Sequence, residues 1–401
     1  MAHGGSALGR DARGRVVFTP LALPGELVRV TVAQAGGRFA QARLAAVLEP
    51  SADRREPRCP HFGVCGGCHF QHIDYAAQLR YKTKLAQDQW QRVGKVKGGV
   101  IRPILPNPQP WDYLTSLALS PTREGPPGLW SPLEQRVIPI QTCAILHPRL
   151  RELLADIDLQ LPTLRHLTLR LGDDENGLLA LETEDAEPPE LELDLPVSVA
   201  LVLPDGVAAT LVGDPYVWQR VKERDFRVSA GSFFHPSPAG AALLVETVLR
   251  YAALRGAETA LEGYSGVGLL TAFLAAGARE LIGVEINADA VADAAVNLAE
   301  TTNVSLYEDW LEDVAPALTT PIDVVVLDPP AAGPSAEALA AVAGLGASRL
   351  VISQHDVADL AHLAPMLAQA GYRLVEAQPL DMLPQTFFIH VVSLWQRGRG
   401  G

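Results

Sequence analysis

The sequence predicts a mixed α/β protein in three parts: a small N-terminal β-barrel, a central α+β region and a C-terminal unit built on a mostly parallel sheet. Three observations carry that expectation. Residues 1–52 break into short β-rich runs separated by glycine turns. All four cysteines lie between Cys59 and Cys143, inside the expected central domain 58–225. From residue 228 to 401, short apolar runs alternate with helix-length segments, the rhythm of a doubly wound sheet.

Within the first part, residues 15–18 and 26–32 read as strands, punctuated by Pro24-Gly25 and Gly36-Gly37. A closed sheet of the OB kind suits them and offers a face and loops to RNA. Residues 51–58 are charged and read as a linker. In the central part, proline-rich interruptions fall at 103–110 and 126–139, and the acidic, leucine-rich stretch 182–196 reads as a solvated loop followed by an edge strand. In the last part, helices are expected over 240–254, 269–276, 288–300, 335–345 and 356–370. Strands are expected over 259–261, 280–284, 304–307, 322–327 and 349–352. The segments 372–380 and 387–395 have no helix between them, so an antiparallel pair should end the sheet.

With 48% hydrophobic and 20% charged residues over 401 positions, the chain has the composition of a globular protein and not of a disordered one. Its first residues start no apolar leader, and no stretch approaches the ~18–20 apolar residues of a membrane span. A cytoplasmic protein is expected. The net charge is −13, yet up to residue 60 nine arginines face five acidic residues. A basic head on an acidic body fits a local RNA-binding module, with Arg10, Arg13, Arg15 and Arg38 as candidate phosphate contacts. Trp111 and Trp130 are expected in cores.

Cys59, Cys65 and Cys68 fall within ten residues, separated by glycines that permit a tight turn. With Cys143 they make a four-thiolate set, which either zinc or a [4Fe–4S] cluster satisfies. Disulfides are not expected in a cytosolic chain. His61, His69 and His72 flank the cysteines and are read as shaping that loop.

The run Leu261-Glu262-Gly263-Tyr264-Ser265-Gly266-Val267-Gly268 lies between an expected strand and an expected helix. Glycines there let the backbone approach a ligand, and the helix start adds a positive field. Glu285 ends the next strand, where a carboxylate can accept both hydroxyls of a ribose. NAD and S-adenosylmethionine both carry one. Asp328-Pro329-Pro330, closing an apolar strand, favours the second, because nucleobase methyltransferases place such a rigid turn beside the transferred methyl group.

Together these motifs resemble the RNA uracil-C5 methyltransferase family, whose members form 5-methyluridine in tRNA or rRNA. Residues 1–48 are similar to its TRAM domain with the first strand missing. The run from Cys59 to His72 is similar to its cluster signature, and Gln141-Thr142-Cys143 resembles the setting of the fourth ligand. Ser229 to Phe234 resembles the lead-in to its class I, Rossmann-like methyltransferase domain. The resemblance implies a [4Fe–4S] cluster on Cys59, Cys65, Cys68 and Cys143. It also implies S-adenosylmethionine held by His235, Tyr264, Gly266, Gly268, Glu285 and Asp328, with structured tRNA or rRNA as partner. It implies no DNA or membrane partner, and it leaves the oligomeric state open.

The active-site motifs depart from that family. Its members add a cysteine thiolate to C6 of uracil and remove the C5 proton with a glutamate. The nucleophile's Ser-Cys-Asn-Pro run reads Ser353-Gln354-His355-Asp356 here, and the base position reads His390. The glutamine that touches cofactor and base is His235, and the arginine after Asp-Pro-Pro is Ala331. A carboxamide nitrogen is no usable nucleophile, and all four cysteines belong to the metal site. The expectation is therefore an RNA-binding member with absent or altered catalysis. The alternatives are transfer to a heteroatom, with His355 or His390 as base, and true 5-methyluridine chemistry.

Overall fold

The computed structural model describes residues 1–94, 99–122, 125–157, 159, 161–184, 194–204 and 206–398. The strands Ala7–Arg10, Val16–Thr19, Leu27–Ala35 and Phe39–Glu49 form the N-terminal sheet, in the spatial order first, second, fourth, third. Asp11 caps its first turn, its Oδ1 accepting from the backbone N–H of Arg13 and of Arg15. Among the described residues no ladder joins the first strand to the third. The sheet is therefore open where a closed barrel was expected, since four strands, two of them only four residues long, do not supply the ladders of closure. The charged segment after it is no free linker. Arg54 reaches back to the buried Glu26 carboxylate with two hydrogen bonds of 2.5 and 2.8 Å.

The central sheet has five strands, ordered Ala208–Val212, Val197–Val202, Gly177–Thr183, Leu164–Leu171 and Ser116–Leu119. Leu150, Leu153 and Leu154 of the helix Pro148–Asp156 belong to the same core as Leu167, Leu169 and Leu181 of this sheet. Val197–Val202 was expected at an edge. It lies inside instead, because Ala208–Val212 adds beyond it and pairs antiparallel with it. The loop expected before it lies, over residues 185–193, outside the described residues.

The C-terminal sheet has eight strands, in the order Val304–Glu308, Glu280–Glu285, Thr259–Gly263, Val324–Leu327, Arg349–Gln354, His390–Arg397, Tyr372–Leu380 and Val100–Ile101. The first five run parallel and His390–Arg397 runs antiparallel to both neighbours. Thr259–Gly263 and Val324–Leu327 are buried throughout, as the continuous apolar runs of a sheet covered on both faces should be. A seven-residue helix, Leu311–Ala317, was not anticipated. The strand Val100–Ile101 comes from the cysteine-bearing half of the chain, and the helix Tyr75–Gln89 before it packs near the helix Val357–Gln369. Among the described residues no helix is long and apolar enough to cross a membrane.

Candidate functional site

Strand order reverses between Thr259–Gly263 and Val324–Leu327, and ligands of open parallel sheets bind beyond the strand ends at such a point. The glycine loop and Asp328 both lie there. Gly266 and Gly268 have φ of 55° and 85°, and so does Tyr264 at 63°, a left-handed conformation unusual for an aromatic residue. A Cβ at Gly266 would meet open space, whereas one at Gly263 would strike Leu311 and Leu327. Glu285 braces the loop: its Oε2 accepts from the Gly266 N–H at 2.9 Å, and its Oε1 from Ile286 and Asn287 at 2.8 Å each. Beneath the loop, burial pushes the Glu262 carboxyl up to about 8, although the Thr271 hydroxyl donates to it at 2.7 Å.

Asp328 is buried. Burial works to raise its pKa, but His235, whose Nε2 stands 3.1 Å from Oδ2, holds the carboxyl far below the ordinary range. Its other oxygen, Oδ1, is buried without a partner. The segment Ser229–Ser232, which leads into His235, is held by a hub at Asp293 that sequence reasoning missed. That carboxylate accepts from the Ser229 N–H and hydroxyl, the Ser232 hydroxyl and Arg227, while Arg170 donates to the carbonyls of Ser229 and Ser232. No local pattern betrays such a hub, since its partners lie 61–66 residues away along the chain.

Three imidazoles face one another beside Asp328. Ring centroids of His355 and His390 are 5.1 Å apart, and those of His235 lie 6.2 and 6.1 Å from them. His390 Nε2 is 2.6 Å from the Ser353 hydroxyl, a partner not singled out from sequence. All three histidines line a pocket of about 300 Å³ with Phe233, Met382 and Phe388, and Ala331 stands at its wall. Gln354 is not among the lining residues. Its amide is buried with neither end partnered.

Burial, reinforced by the neighbouring His355, holds His390 neutral and far below the ordinary imidazole value of 6.5. The unfolded chain takes up that proton below 6.5 and the folded chain does not, so acidification should favour unfolding. The thermal midpoint of the wild type should fall more steeply between about pH 7 and 5 than that of His390→Gln. Parallel slopes in unfolding scans would contradict the assignment.

All four cysteines line a second, largely apolar cavity of about 230 Å³. Burial pushes the Cys143 thiol up to about 11 and raises Cys65 and Cys68 as well. Buried thiols of this kind stay uncharged unless a cation accompanies them, which suits ligands to a positive metal group. Among the described residues no three His, Cys, Asp or Glu side chains converge closely enough to hold a single ion. His69 and His72 sit in the cysteine loop, where burial holds both down at about 4. At the N-terminal sheet Arg15 is taken up by an ion pair with Asp11, leaving Arg10, Arg13 and Arg38 exposed. Trp130, expected in a core, is 51% exposed. Trp111 is only partly buried and lies under the Arg58 guanidinium.

No protein-family model matches the chain. An uncharacterized RNA methyltransferase of Halalkalibacterium halodurans is 30% identical to it over 434 residues, covering 98% of this chain and 94% of that protein. Another, of Streptomyces coelicolor, is 31% identical and covers 100% of this chain and 92% of its own. Among solved structures, the tRNA (uracil-54, C5)-methyltransferase of Pyrococcus abyssi, in complex with S-adenosyl-L-homocysteine, superposes with a TM-score of 0.68. That match covers 97% of this chain and 100% of the other at 21% identity, and it shows the fold. On the identity and coverage of its relatives, the chain belongs to the RNA methyltransferase family.

Proposed function

We propose that this protein binds S-adenosylmethionine and structured tRNA or rRNA, carries a [4Fe–4S] cluster, and does not transfer methyl groups to uracil C5. The observation that carries the last point is the pocket itself: it is lined by three histidines, while every thiol of the chain lines the other cavity. C5 of uracil needs a nucleophile to attack C6 before it will accept a methyl group, and neither a buried carboxamide nor a neutral imidazole beside a serine replaces the thiolate.

Glu285 is suited to the ribose hydroxyls of the cofactor, Gly266 to close approach of its backbone, and the free Oδ1 of Asp328 to a cationic or N–H group. Bound there, the cofactor supplies an electrophilic methyl group. The TRAM-like sheet, with Arg10, Arg13 and Arg38 exposed and Phe39 beside them at 53% exposure, suits phosphates and bases of RNA. The four thiols suit a cluster by their number and by lining one cavity.

One observation favours retained chemistry on a heteroatom. A nitrogen or oxygen of RNA brings its own lone pair and needs only to shed a proton, and the neutral His390 faces the pocket with Ser353 steadying its ring. The test is to incubate the iron-loaded protein with methyl-labelled S-adenosylmethionine and unmodified tRNA and rRNA, then identify labelled nucleosides by mass spectrometry. Label outside 5-methyluridine is the expected product of the heteroatom reading, and no label with cofactor binding intact is that of a binding protein. Label in 5-methyluridine would overturn both. Iron at about four atoms per chain is expected in the same sample.

A further inference from the structure

The cysteine cavity and the histidine pocket are separated by a single layer of side chains. Pro236, Leu383 and Phe388 line both. Two of the three belong to the loop that joins Tyr372–Leu380 to His390–Arg397, and that loop delivers His390 to the pocket.

The loop is held from the cysteine side. The backbone N–H groups of His69 and Phe70, the two residues after Cys68, both donate to the Gln385 carbonyl, at 2.9 and 2.8 Å. The Tyr113 hydroxyl, whose ring lines the cysteine cavity, donates to the Pro384 carbonyl at 2.9 Å. The Gln78 and Gln385 side chains are joined at 2.9 Å, and His69 meets the Phe387 ring edge-on at 4.5 Å. A displacement of Cys68 therefore reaches Gln385 through two short hydrogen bonds, and Phe388 is three residues further on.

We infer that whatever the four cysteines hold positions the reaction pocket, acting through Cys68, the Gln385 carbonyl and the Phe388 wall. This rests on the reading that the cysteines carry a metal–sulfur group. A group bound by all four thiolates would tie Cys59, Cys65, Cys68 and Cys143 together across the cavity, and its withdrawal would release Cys68 from that tie. Pro236, Leu383 and Phe388 form the wall shared with the pocket, so slack at Cys68 is passed to that wall through Gln385. The cluster then sets the pocket geometry without taking part in any chemistry there.

The experiment uses the full chain, isolated without air and assayed for iron, with half of it stripped by oxidation and chelation. Deuterium uptake is followed by mass spectrometry in peptides covering residues 381–390, 259–268 and 280–287. Stripping should speed exchange over 381–390 by about tenfold or more and leave the other two peptides unchanged. Equal uptake over 381–390 in loaded and stripped protein would overturn the inference. So would a uniform rise in all three, which would make the cavity a general folding element.

A second variant tests the wall in the loaded protein. Phe388→Ala opens the layer between the cavities, so a chelator should bleach the visible absorption of the bound group several times faster than in the wild type. An unchanged bleaching rate would show that Phe388 does not separate them. Protein isolated without iron would overturn the cluster reading, and this inference with it, while leaving the labelling result of the preceding experiment intact.

Discussion

Replacement of Lys82 by methionine should destabilise the protein by about 3–5 kcal/mol, the cost of leaving a buried charge without its partner. Lys82 and Asp381 are both fully buried, with Nζ 2.5 Å from Oδ1; the second carboxylate oxygen of Asp381 makes no close hydrogen bond, although the Tyr75 hydroxyl is near the carboxylate. Methionine fills the same volume, so the loss would come from the stranded carboxylate and not from a cavity. Removing that carboxylate as well, in Lys82→Met with Asp381→Leu, should recover most of the stability. Urea titrations of the wild type, the single variant and the double variant read this directly. A single variant within about 1 kcal/mol of the wild type would mean that water or a neighbour reaches Asp381.

Replacement of Glu285 by alanine should weaken S-adenosylmethionine binding about 30- to 100-fold, and should also cost about 1–3 kcal/mol of stability by releasing the backbone N–H groups it accepts from. Hydrogen bonds to a charged group contribute about 1.5–3 kcal/mol each, and tenfold in affinity corresponds to about 1.4 kcal/mol. Here the carboxylate has two duties. It braces Gly266 from the end of its own strand, and on the proposed reading it accepts from the ribose hydroxyls of the cofactor. Glu285→Gln keeps the acceptor oxygen and should lose less than the alanine variant. Titration calorimetry of the three proteins separates these contributions, and an alanine variant that binds as tightly as the wild type would remove Glu285 from the cofactor site.

The methyltransferase sheet was legible because each of its strands is a short apolar run closed by a turn signal, and burial on both faces requires that pattern. The glycine loop and Asp328 were legible for a related reason: a backbone that must approach a ligand leaves glycines and a rigid turn in the sequence itself. What stayed hidden depends on partners far along the chain. Nothing local marks Asp293 as the anchor of Ser229 and Ser232, or Ser353 as the partner of His390. Lys82 and Gln78 sit on the inner face of Tyr75–Gln89, where a periodicity reading expects apolar residues. Leu311–Ala317 is short and carries Pro316 in its last turn, so it left too little periodic signal. Val197–Val202 looked like an edge because the run after it, Ala208–Val212, is five residues long and opens on two alanines, which are poor strand formers, so it did not announce a strand.

The eight-stranded sheet also sets the order in which the protein can be completed during synthesis. Lys82 emerges from the ribosome 299 residues before Asp381, and Gln78 emerges 307 before Gln385. At about 5–20 residues per second, the helix that carries them waits roughly 15–60 s for its partners. Throughout that interval the strand Val100–Ile101 lacks its ladder partner, and the cavity around Cys59, Cys65 and Cys68 lacks the wall made by Leu383, Thr386 and Phe388. Three cysteines thus emerge before the loop that completes their cavity has been translated.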